Sequence, residues 1–208
     1  MKNRWLFGTL LLVGGIAVVT LATAQTIVPT APPALSAVAT PHSAMRPRND
    51  IQGVGSFVQI SDILSRGLQP TAEGFAALKK MGIKTVIDLC NLHTDRELLK
   101  GTGLQYMESP CKEWHPKDEE VLAFLKVLRD PSNQPVFVHW TQREDCAQMM
   151  VAAYRMVEEG WSAEEALTEL PNFKAHPAWM NYLKNQFDAE RVKKKLAEAS
   201  AVKVERAE

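Results

Sequence analysis

The chain has no surplus of charge of either sign. Its 24 Lys and Arg residues balance 24 Asp and Glu residues over 208 positions. Without a basic excess there is no electrostatic footprint for nucleic acid. The run Lys193-Lys194-Lys195 lies among Glu190, Arg191 and Glu198 and reads as a solvated helix face. Cysteine is scarce: Cys90, Cys111 and Cys146 are too few for a disulfide framework and allow one pair at most. No internal repeat is present, and no cysteine stands near the end of the apolar leader, which argues against a lipoprotein.

What is present begins with that leader. Lys2 and Arg4 precede an apolar run from Trp5 to Leu21, and Ala22-Thr23-Ala24 closes it. A positive start, an apolar middle and a small-x-small end predict a Sec-type signal peptide over 1–24, hence a periplasmic or secreted protein. The alternative is an uncleaved anchor, since about 18–20 apolar residues can span a bilayer; only then would a membrane be a partner. Residues 25–50 carry Pro29, Pro32, Pro33, Pro41 and Pro47 with no apolar period, which predicts a flexible Pro/Ala/Thr-rich linker. The stretch 51–190 is long enough to bury one core, and 191–208 reads as a charged C-terminal helix or tail.

Within 51–190 strands alternate with helices. Phe57–Ile60 and Ile63–Arg66 flank Ser61-Asp62 as a hairpin. Thr71 can cap a helix through Lys80, stopped at Gly82. Lys84–Leu89 and Leu104–Glu108 read as strands, and Asp95–Lys100 as a short helix between them. Pro116 opens a helix to Leu128 with Val121, Leu122, Phe124, Leu125 and Leu128 as its stripe. Pro135–Val138 is fully apolar, as expected of a strand in mid-sheet. A helix over Cys146–Glu158, a capping box at Ser162–Glu165, and a last helix from Pro177 to about Ala199 complete an α/β domain with a mostly parallel central sheet flanked by helices.

The segment after the apolar strand reads His139-Trp140-Thr141-Gln142-Arg143-Glu144-Asp145-Cys146. Strand, loop and helix in this order resemble the phosphate-binding loop of the cysteine-dependent tyrosine and dual-specificity phosphatases, written His-Cys-x5-Arg. Further matches follow in order: Arg66-Gly67-Leu68-Gln69-Pro70, Gly82–Leu89, Trp114–Glu120, Val151–Arg155 and Gly160-Trp161-Ser162. The resemblance covers about 54–187 and implies the cysteine-dependent phosphatase fold. It also implies a chemistry: a thiolate held in a nest of inward amides attacks phosphorus, an arginine grips the equatorial oxygens, and an Asp protonates the leaving group.

Two substitutions remove that chemistry. Trp140 stands where the family has its nucleophile and offers only an indole N–H. Cys146 stands where the family has its arginine. The phosphate-loop positions Trp140, Thr141, Gln142, Arg143, Glu144, Asp145 and Cys146 contain no glycine; Arg143 restores one positive charge, which Glu144 and Asp145 outweigh. The residual catalytic candidates are Asp118, His139 and Cys146. Asp118 matches the family's acidic position, or simply favours a helix dipole. His139 in the family supports the loop, or is a structural histidine at a strand end. Cys146 is expected at a helix start, where a thiol tends to be more acidic. Cys90 also begins a Cys-x5-Arg string ending at Arg96, which lacks the histidine and glycines and reads as chance. Arg66 and Gln69 are expected to hold the turn before the first helix.

Each cysteine falls just after a predicted strand, so one disulfide, or a soft-metal cluster with His93, His115 and His139, stands beside the expectation of three unrelated thiols. The spacing fits no standard zinc pattern, and the expectation is no metal and no cofactor. The sequence therefore predicts an exported, catalytically inactive pseudophosphatase that binds an unknown protein or a small anionic ligand. The alternatives are an active phosphomonoester hydrolase, a thiol- or metal-dependent enzyme using Cys146 or Cys90, and a decaying paralogue without a selected role.

Overall fold

The computed structural model describes residues 46–112, 114–141, 145–169, 177–199 and 204–206. The leader, most of the linker, and Gln142, Arg143 and Glu144 lie outside the described residues. Among the described residues no helix is long and apolar enough to cross a membrane.

One six-stranded sheet organises the domain: β1 (Val58–Gln59), β2 (Leu64–Leu68), β3 (Thr85–Asp88), β4 (Gln105–Glu108), β5 (Val136–Trp140) and β6 (Glu205–Arg206), in the order β1-β2-β5-β3-β4-β6. The four inner strands are parallel, and β1 and β6 are antiparallel edges. Helices α1 (Ala72–Lys80) and α2 (Arg96–Leu99) bury Phe75, Leu78 and Leu99 in one apolar cluster with Val86, Tyr106 and Phe137. Helices α3 (Asp118–Arg129), α4 (Asp145–Glu158), α5 (Ala163–Thr168), α6 (Pro177–Asn181) and α7 (Ala189–Glu198) contribute to a second, larger cluster. From Cys146 to Val157 every residue of α4 is buried, as befits a helix enclosed on all sides.

Local chemistry explains most boundaries. The Thr71 side chain accepts from Gly74 N–H and caps α1, and Gly82, at φ 95°, supplies the left-handed residue just beyond it. The capping box at Ser162 and Glu165 is formed in both directions. Helix α3 starts at Asp118 rather than at Pro116, because Lys117 is extended and serves as N-cap. The helix expected from Pro177 to Ala199 is broken. After α6 a π-helical turn over Tyr182–Gln186 leads to extended Phe187, and the Asp188 side chain accepts from Arg191 N–H to start α7 afresh.

The central strand is longer than Pro135–Val138. His139 pairs with Gly67 and Asp88, and Trp140 with Leu68, so both belong to β5 rather than to the loop. Alternation along β5 then separates them. Phe137 joins the cluster of α1 and α2, and the His139 ring centroid lies 6.1 Å from those of Phe75 and Phe137. Val136, Val138 and Trp140 join the cluster that holds α4.

Candidate functional site

The carboxyl ends of β2, β3, β4 and β5 share one edge, as parallel pairing requires. Of the residues that resemble a phosphate loop, Trp140 and Cys146 lie at that edge with their side chains in the core. Trp140 is 6% exposed and Cys146 is fully buried, and both lie in one apolar cluster with Cys90 and Cys111. Thr141 borders an open cleft of about 550 Å³ lined also by Leu68, Gln69, Pro70, Thr71, Ala72 and Leu98. Among the described residues that line it none is basic.

Asp118 is engaged elsewhere. Tyr182 Oη donates to its Oδ1 at 2.7 Å, Arg191 Nε donates to Oδ2 at 3.1 Å, and Lys195 Nζ is 3.4 Å away. Burial opposes its ionisation, but the tyrosine hydrogen bond and the arginine outweigh it and hold the carboxyl below the usual range. A general acid needs the opposite shift. Asp118 therefore joins α3 to α7, a role the reading of a dipole-favouring residue anticipated only in part.

Two steps along α3, Glu120 is shifted upward. Burial pushes its carboxyl up to about 7 against the pull of Lys117 and Lys112, and its Oε2 has no hydrogen-bond partner. Because the folded-state value exceeds the unfolded value of 4.5, the unfolded chain ionises first as pH rises. Stability is fully present below about 4.5 and is lost as pH rises through about 7. Glu120→Gln is expected to gain about 1–2 kcal/mol on the wild type across that window, after allowing for solvent screening. Urea melts of both proteins at several pH values read the difference; a difference that stays flat with pH refutes it.

A second group of polar side chains is gathered behind β5. Asp88, Asp95 and His139 are all fully buried. His139 Nε2 lies 3.0 Å from Asp95 Oδ2, yet off the hydrogen-bonding direction, so neither ring nitrogen has a hydrogen-bond partner. Gln69 Nε2 donates to Asp95 Oδ1 at 2.8 Å, so Gln69 reaches across to α2 instead of bracing its own turn. Asp95 N–H donates to Tyr106 Oη at 2.9 Å, and that hydroxyl donates to Asp88 Oδ2 at 2.7 Å. The Cys90 N–H donates to Asp88 Oδ1 at 2.8 Å.

The setting of Cys90 disfavours a thiolate. Burial, then the hydrogen bond to Asp88, push its thiol far above the ordinary range. Arg96, six residues on, pairs with Glu108 and Glu205 and lies over the Tyr106 ring, so the second Cys-x5-Arg string builds no cradle. No disulfide joins the three buried cysteines. Of the histidines expected near them, His139 and His93 stand beside Asp95, at 3.0 and 3.5 Å, whereas His115 is exposed. Asp88 and Asp95 were missed as site residues. A carboxylate ending the apolar run Val86-Ile87 was the available signal for Asp88. Asp95 reads in sequence as the first residue of a short helix; it stands at the N-cap, but its side chain makes no cap bond.

Known proteins resemble this chain in sequence and fold. A family model described as DSP-PTPase phosphatase fused to NAD+ kinase matches residues 49–180. The dual specificity protein phosphatase TpbA of Pseudomonas aeruginosa is 28% identical over 116 residues, which is 55% of this chain and 53% of that protein. The inositol diphosphatase DSP2 of Oryza sativa subsp. japonica is 25% identical over 131 residues, 59% of this chain and 64% of that protein. The chain thus spans about half the length of the first of these relatives. Among solved structures, P. aeruginosa TpbA in complex with pTyr superposes with TM-score 0.64 at 22% identity, covering 77% of this chain and 100% of that one. The core catalytic domain of the S. cerevisiae PP-IP phosphatase SIW14 gives 0.57 at 17% identity, covering 75% and 95%. With the family model spanning more than half of its residues, the chain belongs to the phosphatase family described as DSP-PTPase phosphatase fused to NAD+ kinase.

Proposed function

We propose that this phosphatase-like domain is a catalytically inactive pseudophosphatase, exported by its N-terminal leader, that serves as a binding or scaffolding module for a protein or a small anionic ligand. One observation carries the reading: the position that should present a nucleophile is Trp140, and its indole is packed into the core at 6% exposure. An indole has no lone pair to give to phosphorus. The arginine position is Cys146, equally buried, so the bidentate grip on a dianion is gone as well. The competing reading, an active enzyme with a substitute thiol, is disfavoured by the upward shift at Cys90 and by the full burial of Cys146. Export rests on the composition of residues 1–24 alone.

The purified mature chain is expected to hydrolyse neither an aryl phosphate nor a phosphotyrosine peptide above the buffer rate. Turnover at ordinary phosphatase rates, about 1–10³ per second, that disappears on Cys90→Ser or Cys146→Ser would overturn the reading and identify the nucleophile. Intact mass of protein recovered from the expressing cell tests export: retention of 1–24 means an anchor rather than a cleaved leader.

A further inference from the structure

We propose that the carboxyl ends of β3 and β5 hold one borderline divalent cation, Zn²⁺ or an ion of like preference, bound by the Asp88 carboxylate, Cys90 Sγ and the His139 imidazole. The proposal goes beyond the pseudophosphatase reading and stands or falls independently of it. The donor atoms of these three side chains lie within 4.8 Å of one another. Their exposures are 0%, 3% and 0%. Zinc–ligand distances of about 2.0–2.3 Å bring donors so spaced onto one ion with small side-chain adjustments. A thiolate, an imidazole and a carboxylate together select a borderline ion over Mg²⁺ or Ca²⁺.

Two independent features of the pocket call for a cation. The first is unused donor capacity: neither nitrogen of the fully buried His139 ring has a hydrogen-bond partner, and the same holds for His93 Nε2 and Asp95 Oδ2. The second is charge. Asp88 and Asp95 are both fully buried, and among the described residues no Lys or Arg pairs with either of them; the groups beside Asp95 that could carry charge are the imidazoles of His139 and His93, at 3.0 and 3.5 Å. Asp88, His93 and Asp95 form an overlapping trio with the same spacing, so Asp95 stands beside the ion as a second carboxylate. The surrounding hydrogen bonds already aim the ligands: Tyr106 Oη on Asp88 Oδ2, the Cys90 amide on Asp88 Oδ1, and Gln69 on Asp95.

Coordination is a proton exchange. The Cys90 S–H bond breaks, its electron pair forms the metal–sulfur bond, and the proton leaves to solvent. No oxidant or reductant takes part. Because the ligand must lose a proton to bind, binding weakens as pH falls.

The test uses the full chain, stripped with a chelator and titrated first with Co²⁺ as a spectroscopic probe, then with Zn²⁺ by calorimetry. The expected result is one equivalent of Co²⁺ with tetrahedral d–d bands and a thiolate-to-cobalt charge-transfer band, and a melting temperature raised by Zn²⁺. Cys90→Ser removes the charge-transfer band and weakens Zn²⁺ binding by more than the ~10–100-fold typical of losing an outer-shell partner. Cys111→Ser, outside both trios, leaves band and stoichiometry unchanged. Circular dichroism verifies folding, and His139→Gln, read by the loss of tetrahedral bands, decides the matter if Cys90→Ser does not fold. Absence of a thiolate band in the wild type, its survival in Cys90→Ser or His139→Gln, its loss in a folded Cys111→Ser, or no change in melting temperature with Zn²⁺ overturns the proposal.

Discussion

Arg155→Ala is expected to remove about 3–5 kcal/mol of unfolding free energy, a large share of what a single domain possesses. The guanidinium on α4 is buried at 5% exposure. Its Nη2 donates to Glu169 Oε1 at 2.7 Å and its Nε to Oε2 at 2.9 Å, a bidentate pair with a carboxylate whose side chain is 8% exposed. Nη1 reaches Glu159 at 2.6 Å, Nη2 also donates to the Ile60 carbonyl at 3.3 Å, and the guanidinium carbon lies 4.8 Å from the Trp161 ring centroid. The network ties α4 to α5, to the strand hairpin and to the chain after Gly160. Truncation costs the packing of the stem and leaves Glu169 buried without its countercharge. Arg155→Met with Glu169→Leu removes both charges and is expected to recover most of the loss, because the penalty lies in the orphaned partner. Urea midpoints at constant m read both variants; a loss below about 1 kcal/mol for Arg155→Ala would mean that solvent reaches the pair and screens it.

Much of the fold was legible because it is local. The run Pro135–Val138 has no polar residue, Thr71 and Ser162 stand where orphaned helix amides need acceptors, and Gly82 sits just beyond the end of α1. Pairing across the sheet was less legible. Register with Leu68 and Asp88, not any property of His139 or Trp140, draws both into β5. Strand β6 was invisible, since Glu205-Arg206 has no apolar alternation and exists only through β4. The break before α7 depends on Asp188 turning its carboxylate back to Arg191 N–H and on Phe187 packing 5.5 Å from Tyr182. The site divided the same way. That Trp140 and Cys146 stand at the positions resembling the nucleophile and the arginine is a reading of the sequence by position. That both side chains are core was not readable there, because periodicity cannot tell a loop residue from the last residue of a buried strand. Asp88 and Asp95 escaped for the related reason that a lone carboxylate in sequence carries no sign of what folds over it.

The burial of Trp140 and Cys146 sets the largest expected effect. Restoring the family pattern with Trp140→Cys is expected to cost about 3–5 kcal/mol, the range for truncating a large buried aromatic side chain. The indole shares its cluster with Cys90, Cys111 and Cys146, and nothing in the smaller side chain refills that volume. Cys146→Arg alone is expected to be worse tolerated still. It puts a guanidinium at a fully buried position in the first turn of α4, where its charge adds to the positive end of the helix dipole. Both positions belong to one apolar cluster, so the volume that Trp140→Cys vacates is expected to make the double variant more stable than the sum of the single losses predicts. Oxyanion binding should return only in that double variant, weakly, because glycine is still absent between His139 and Gln148, and residues with a Cβ reach the backbone conformations of an amide nest less readily. Adding Arg143→Gly should strengthen vanadate binding and raise turnover. Denaturant midpoints of the single and double variants, with vanadate calorimetry on the double and triple, separate the cases. A Trp140→Cys protein as stable as the wild type would mean that the indole is not part of the core. A folded triple variant that binds no vanadate would mean that 139–146 does not occupy the register of a phosphate loop.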